Sequence, residues 1–169
     1  MIKPSYTESL DRYVIKFGSN TELQNLTKQA KPLATVERVI MGHNLIIIKL
    51  PATLTADSTP CQIWQFIDQY FENFLVMPIF IDSMNENRIP TGTLSVRFHA
   101  IPDDKTLAEF VVKHSLIDLK LRRNKFMPQQ VMFGIPRNKV YLSELVATVT
   151  QDDLVLKAWP NTLTQFERE

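Results

Sequence analysis

The sequence predicts an α+β protein that writes one plan twice: strand, helix, strand, strand, helix, strand. Three observations predict it. The segment Tyr13-Val14-Ile15-Lys16-Phe17 is matched by Leu94-Ser95-Val96-Arg97-Phe98, and both alternate apolar with polar residues as a half-buried strand does. The segment 76–82 is matched by 155–161 in the same way. The opening strands start 81 positions apart and the closing strands 79 apart, so both ends of the plan recur at nearly one interval.

In the first copy the opening strand runs into Gly18-Ser19-Asn20. Ser19 or Asn20 can accept from the free amides of a helix that starts near Thr21, and Pro32 stops that helix after Ala30. A second strand is expected over Thr35-Val36-Glu37-Arg38-Val39-Ile40, and a third over 44–50, closed by Pro51. Thr59-Pro60-Cys61-Gln62 is a helix start: Thr59 caps, Pro60 takes the first position and Gln62 completes a capping box. Ile63, Trp64, Ile67, Phe71 and Phe74 then form an apolar stripe.

In the second copy Ile101-Pro102-Asp103-Asp104 leads to a helix over 105–115, with Leu107, Phe110, Val111 and His114 on one face. Strands are expected over Asp118-Leu119-Lys120-Leu121-Arg122-Arg123 and over Val131-Met132-Phe133-Gly134-Ile135, the latter closed by Pro136. A helix over 138–150 carries Leu142, Leu145, Val146 and Val149. This order of elements is the split βαβ arrangement, so each copy is expected to be a ferredoxin-like sandwich, four antiparallel strands with two helices on one face. Residues 1–82 form the first repeat, 83–92 a polar linker and 93–169 the second repeat with a C-terminal tail. Trp64 and Phe71 are expected in the first core, Phe110 and Leu145 in the second.

Composition narrows function mainly by exclusion. Nineteen Lys and Arg against eighteen Asp and Glu leave a net charge of +1, which removes a broad electrostatic case for nucleic acid or an anionic membrane. The lone Cys61 excludes an internal disulfide and a multi-cysteine zinc site, and a structural role is expected for it. The four glycines are isolated, so no phosphate-cradling loop is written. The first residues show no signal peptide, and Leu45-Ile46-Ile47-Ile48 is far short of the roughly 20 residues a bilayer needs. A cytoplasmic location without membrane contact is the expectation. His43, His99 and His114 are scattered, and His114 belongs to an apolar helix face. Asp103-Asp104 reads as a helix cap and Asp152-Asp153 as a turn. Nucleophile, base and orienting acid do not assemble. The expectation is a non-enzyme with no metal and no cofactor.

One local charge cluster stands out, Lys120-Leu121-Arg122-Arg123-Asn124-Lys125. On a strand, alternation would send Lys120 and Arg122 to one face, and Lys120, Arg122, Arg123 and Lys125 are the candidate nucleic-acid patch. Ferredoxin-like RNA binders stack bases on aromatics of their central strands, and Phe133 is the only such ring in the corresponding strand of the second copy.

Each half also resembles the prosegment of subtilisin-type serine proteases. The likeness rests on the openings Tyr13-Val14-Ile15-Lys16-Phe17 and Leu94-Ser95-Val96-Arg97-Phe98, the helix over 142–150, and the closing strands Ile79-Phe80-Ile81-Asp82 and Val155-Leu156-Lys157-Ala158-Trp159-Pro160-Asn161. It implies an inhibitor and chaperone of a subtilisin-like protease. A sheet face would press on the enzyme while the C-terminal tail lies in the substrate cleft as a product-like strand. The tail would be 162–169, and Trp159, Pro160, Asn161, Thr162, Leu163 and Phe166 would carry the contact. Two other readings stay open: an interaction module for another protein, and an RNA-binding protein that uses the strand near Arg122.

Overall fold

The computed structural model describes residues 7–121, 123–136 and 142–164. The protein is α+β, with antiparallel strand pairing and five α-helices among the described residues. The chain divides into two compact units. The first holds residues 7–91 and 162–164, and the second holds 92–136 and 142–161 among those described.

The first unit contains β1 (Thr7–Lys16), α1 (Asn20–Ala30), β2 (Thr35–Ile40), β3 (Leu45–Lys49), the short α2 (Ala52–Thr55), α3 (Pro60–Phe71) and β4 (Leu75–Ile81). Its strands lie in the order β2-β3-β1-β4, each antiparallel to its neighbour. The starts of α1 and α3 are those the sequence writes, whereas α2 was not expected from it. Ser19 accepts from the Glu22 amide at 3.2 Å. Thr59 and Gln62 exchange both bonds of a capping box, at 3.2 and 2.9 Å, with Pro60 in the first position. Ile63, Trp64, Ile67 and Phe71 form the buried face of α3. Cys61, on the first turn, is exposed rather than packed.

Tyr13 meets the ring of Trp64, centroids 6.2 Å apart, which fixes the helix-facing side of β1. By alternation Val14 looks the other way, and the register sets Ile47 and Met77 beside it. Those three are 0 to 6% exposed, as are Leu45 and Leu75 beside Lys16 in the same face. The middle of the first sheet is therefore buried on both faces, and β3 and β4 read as nearly continuous apolar runs for that reason.

Residues 83–92, expected as a linker, fold differently. Asp82 turns the chain: its Oδ1 accepts from the amides of Met84 and Glu86 at 2.9 and 3.0 Å. Its Oδ2 meets Arg88 Nε at 2.7 Å. Asn85 takes φ 61, a left-handed conformation that Asn tolerates. The bond from the Glu86 amide, then the Arg88 side chain, hold the Asp82 carboxyl below the usual carboxylate range. The chain leaves this turn directly as β5 (Asn87–Phe98), whose Asn87 and Arg88 pair with Ile81 and Phe80 of β4. A strand stands where a linker was expected because Asp82 and Arg88 close a hairpin.

The second unit adds α4 (Asp104–His114), β6 (Ile117–Asp118), β7 (Gln130–Gly134), α5 (Leu142–Thr150) and β8 (Val155–Thr164). Within it β5 stands between β7 and β8, and β6 borders β7. Asp103 caps α4 through the Thr106 amide at 2.7 Å. Phe110 lies at the centre of the core, 5.0 Å from Phe98 and 5.4 Å from Phe133. Leu142, Val146 and Val149 are the buried residues of α5, and Leu145, expected in the core, lies at the margin of that face and is half-buried.

Candidate functional site

The two sheets differ in the face that lies away from their helices. In the second unit Phe98 packs on Phe110 of α4, so Leu94 and Val96 share the helix side. Thr93, Ser95 and Arg97 point outward, with Met132 paired to Ser95 and Gln130 to Arg97. This face is polar and partly open. Trp159 of β8 is half-buried between two cations, with Arg97 5.6 Å and Lys157 5.4 Å from its ring. Such contacts contribute about 0.5–2 kcal/mol each, more where water is excluded. Arg97 donates to Gln130 Oε1 at 3.2 Å, while its Nε is buried without a hydrogen-bond partner. Asn161 ties β8 to β5: Ser95 Oγ donates to its Oδ1 at 2.9 Å, and its Nδ2 donates to Thr93 Oγ1 at 2.8 Å. Met132 is 39% exposed beside them.

Trp159, Pro160, Asn161, Thr162 and Leu163 thus lie in one strand, but the boundary of the tail shifts. The sequence reading frees the chain at Thr162, whereas β8 continues to Thr164. Phe166 falls outside the described residues. Arg97, Ser95 and Thr93 were missed as partners of Trp159 and Asn161. Their alternation marks them as the polar side of a strand, yet only the pairing of β5 with β8 brings them to those residues.

The basic patch does not form the strand face expected of it. The expected strand 118–123 ends at Asp118. Lys120 takes φ 52, in the left-handed region, and Asp118 Oδ1 accepts its amide at 2.8 Å. That local side-chain bond replaces ladder pairing, so alternation no longer assigns faces. Arg123 stands 3.7 Å from Asp104, Lys125 is exposed, and Arg122 falls outside the described residues. Phe133, the one candidate stacking ring, is 1% exposed in the core against Phe98 and Phe110.

No protein-family model, curated protein or solved structure matches the chain.

Of the titratable groups singled out in the sequence, His114, Asp103, Asp104 and Asp152 have structural partners. His114 Nε2 lies 2.8 Å from Asp152 Oδ2, both side chains nearly inaccessible, and its ring stacks at 4.5 Å on Phe110. Lys113 reaches the same oxygen at 3.0 Å. Asp152 Oδ1 accepts from the Leu154 amide at 3.0 Å, which makes the turn after α5. Burial alone would raise the Asp152 carboxyl; the bonds from His114, the Leu154 amide and Lys113 outweigh it and hold the group at about 2. Among the described residues no three His, Cys, Asp or Glu side chains gather as a metal site would require, and no helix is long and apolar enough to cross a membrane.

Proposed function

We propose that the protein is a non-catalytic inhibitor of the protease-prosegment kind, built of two ferredoxin-like units. In this reading the second unit presents its outer sheet face to a subtilisin-like protease. The strand order supports the fold assignment. Numbered within each unit, both sheets run second, third, first, fourth, with helices after the first and third strands.

The observation that carries the functional reading is the contrast between the two outer faces. In the first unit the middle of that face is buried at Val14, Ile47 and Met77, and the opening beside Ile47 is bordered by the Arg12–Glu37 ion pair and Arg38. In the second it keeps Trp159 and Met132 accessible, ringed by Arg97, Lys157 and Gln130. An aromatic anchor, a Met and an Arg within a polar rim are the residue types of protein interfaces. The buried Phe133 argues against base stacking and so against the RNA reading. The last strand, β8, carries Trp159 and runs to Thr164, and in this reading it bears both the contact face and the start of the tail.

The test is hydrolysis of a chromogenic peptide by a panel of subtilisin-like proteases in the presence of the intact protein. Trp159→Ala should weaken inhibition by about ten-fold or more, as loss of an interface anchor does. Removal of residues 165–169 should weaken it sharply without lowering thermal stability. A panel left unslowed at micromolar protein overturns the protease reading and leaves a module for some other protein partner.

A further inference from the structure

The first sheet ends at β2. One edge of β2 pairs with β3, and among the described residues no strand pairs with the other. The direction of its backbone groups follows from the neighbouring pair of strands. The Phe17 amide donates to the Asn44 carbonyl at 2.9 Å, and the Leu50 amide to the Asp11 carbonyl at 2.7 Å. Bonding alternates by residue along an antiparallel pair, so Ile46 and Ile48 bond to β1, while Leu45, Ile47 and Lys49 turn to β2. Their partners Ile40, Arg38 and Thr35 are thereby engaged, and the amides and carbonyls of Val36 and Val39 point away from β3.

Val36 and Val39 stand three positions apart rather than two, because Glu37 is an extra residue that no residue of β3 opposes. Such a bulge blunts an edge against an ordinary strand, whose outward groups recur at every second residue. A strand with the same bulge matches it. The side chains are placed to suit. Val36 and Val39 lie opposite Ile48 and Ile46 on the helix side and are half-buried. Glu37 and Arg38 are on the outer face, where both border the opening beside Ile47. Glu37 meets Arg12 at 3.0 Å and stays partly exposed, with lone pairs left for a further donor. Arg38 forms no ion pair among the described residues.

We propose that β2 is a self-association edge, on which two copies of this chain pair β2 with β2, antiparallel, about a two-fold axis. That axis sets Val36 opposite Val39 of the second copy and Glu37 opposite its Arg38, and each contact occurs twice. The two bulges then fall together, so the outward amides and carbonyls of both valines meet partners. Glu37 gains the unpaired Arg38 of the second copy, and opposite charges directly across two strands favour the pairing. The β-branched valines meet on the helix side of the seam. The occupant is therefore a second copy: it carries both the matching bulge and the complementary charges in the right order. The seam is short, so the dimer is a weak one that forms in the micromolar range. It uses neither β8 nor the outer face of the second unit, and is independent of the protease reading.

The experiment is sedimentation of the full chain over about 1 to 500 μM, which should show a monomer–dimer equilibrium that weakens as salt is added. Hydrogen exchange at the two ends of that range should show the Val36 and Val39 amides slowed in the dimer. Arg38→Glu and Glu37→Arg each put like charges across the seam, and each should weaken the dimer by about ten-fold or more. An equimolar mixture of these two variants restores opposite charges and should dimerise more tightly than either alone. Circular dichroism confirms the fold of each. If one of them fails to fold, Val36→Pro takes its place: it removes an outward amide, a loss an edge strand tolerates, and should abolish the dimer. Four results overturn the proposal: a monomer at every concentration, a dimer in which Val36 and Val39 exchange as fast as in the monomer, folded charge variants whose mixture associates no better than either alone, or undiminished association of folded Val36→Pro.

Discussion

Asp152 stabilises this fold at neutral pH through its charge. Its carboxylate is buried, yet it is ionised, since His114, the Leu154 amide and Lys113 all donate to it. A folded-state value of about 2 against an ordinary 3.8 corresponds to roughly 2 kcal/mol. The shift is downward, so the stabilisation is fully present above about 3.8 and is lost as pH falls through that value toward 2. Acid unfolding followed by circular dichroism should show this loss in the native protein and its absence in Asp152→Asn, which is also the less stable of the two near neutrality. Trp159 is a different case. Its ring is half-buried under Arg97 and Lys157, so Trp159→Ala should cost about 1–2 kcal/mol in urea unfolding. Phe110→Ala, at the centre of the second core, should cost about 3–5 kcal/mol. Equal losses would show that Trp159 belongs to the core. Ser19, Thr59 and Asp103 were legible as caps because a cap is decided within three residues. The Asp152–His114 bond was not, since it joins residues 38 positions apart.

At the scale of elements, the sequence spoke clearly where periodicity and capping coincide and misled where one side chain redirects the backbone. The helix α3 shows the first: its cap, its Pro60 and its stripe all agree. Thr59→Ala should cost it about 1 kcal/mol in thermal or urea unfolding. The second is shown twice. Lys120 alternates with its neighbours as a strand residue would, but Asp118 captures its amide and the strand stops. Residues 83–92 have the polar composition of a linker, yet Asp82 gathers two amides and Arg88 into a hairpin turn. These are local bonds whose competition with the ladder is not visible in a hydrophobic pattern. Limited proteolysis separates linker from hairpin. Cleavage should concentrate at 83–86, where Met84 is 78% exposed, and spare 87–92 in β5. Preferred cutting at 87–92 would restore the linker.

For the whole molecule, an α+β chain with antiparallel pairing was legible in the sequence. The common strand order of the two units supports the repeat proposed above. The units part between residues 91 and 92, inside the segment expected as a linker, but β5 runs through that point: Asn87 and Arg88 pair in the first unit, and 93–97 pair in the second. The first unit also takes residues 162–164 from the far end of the sequence. It is thus assembled from segments that no single cut leaves together. Its outer face needs cover, since Val14, Ile47 and Met77 are apolar and almost fully buried, and Ile89 lies with Ile47 and Ile79 along that sheet. A fragment ending at Glu86 keeps β2-β3-β1-β4 but loses Ile89 and 162–164. It should bind a hydrophobic dye, tend to associate and melt below the full chain, because the energy of burying such side chains is about 25 cal/mol for each Å². Calorimetry and dye binding on the fragment and on the full chain measure this. If the fragment melts at the temperature of the intact protein and binds no dye, the first unit is self-sufficient, and the two copies are separable repeats as their sequence pattern alone suggests.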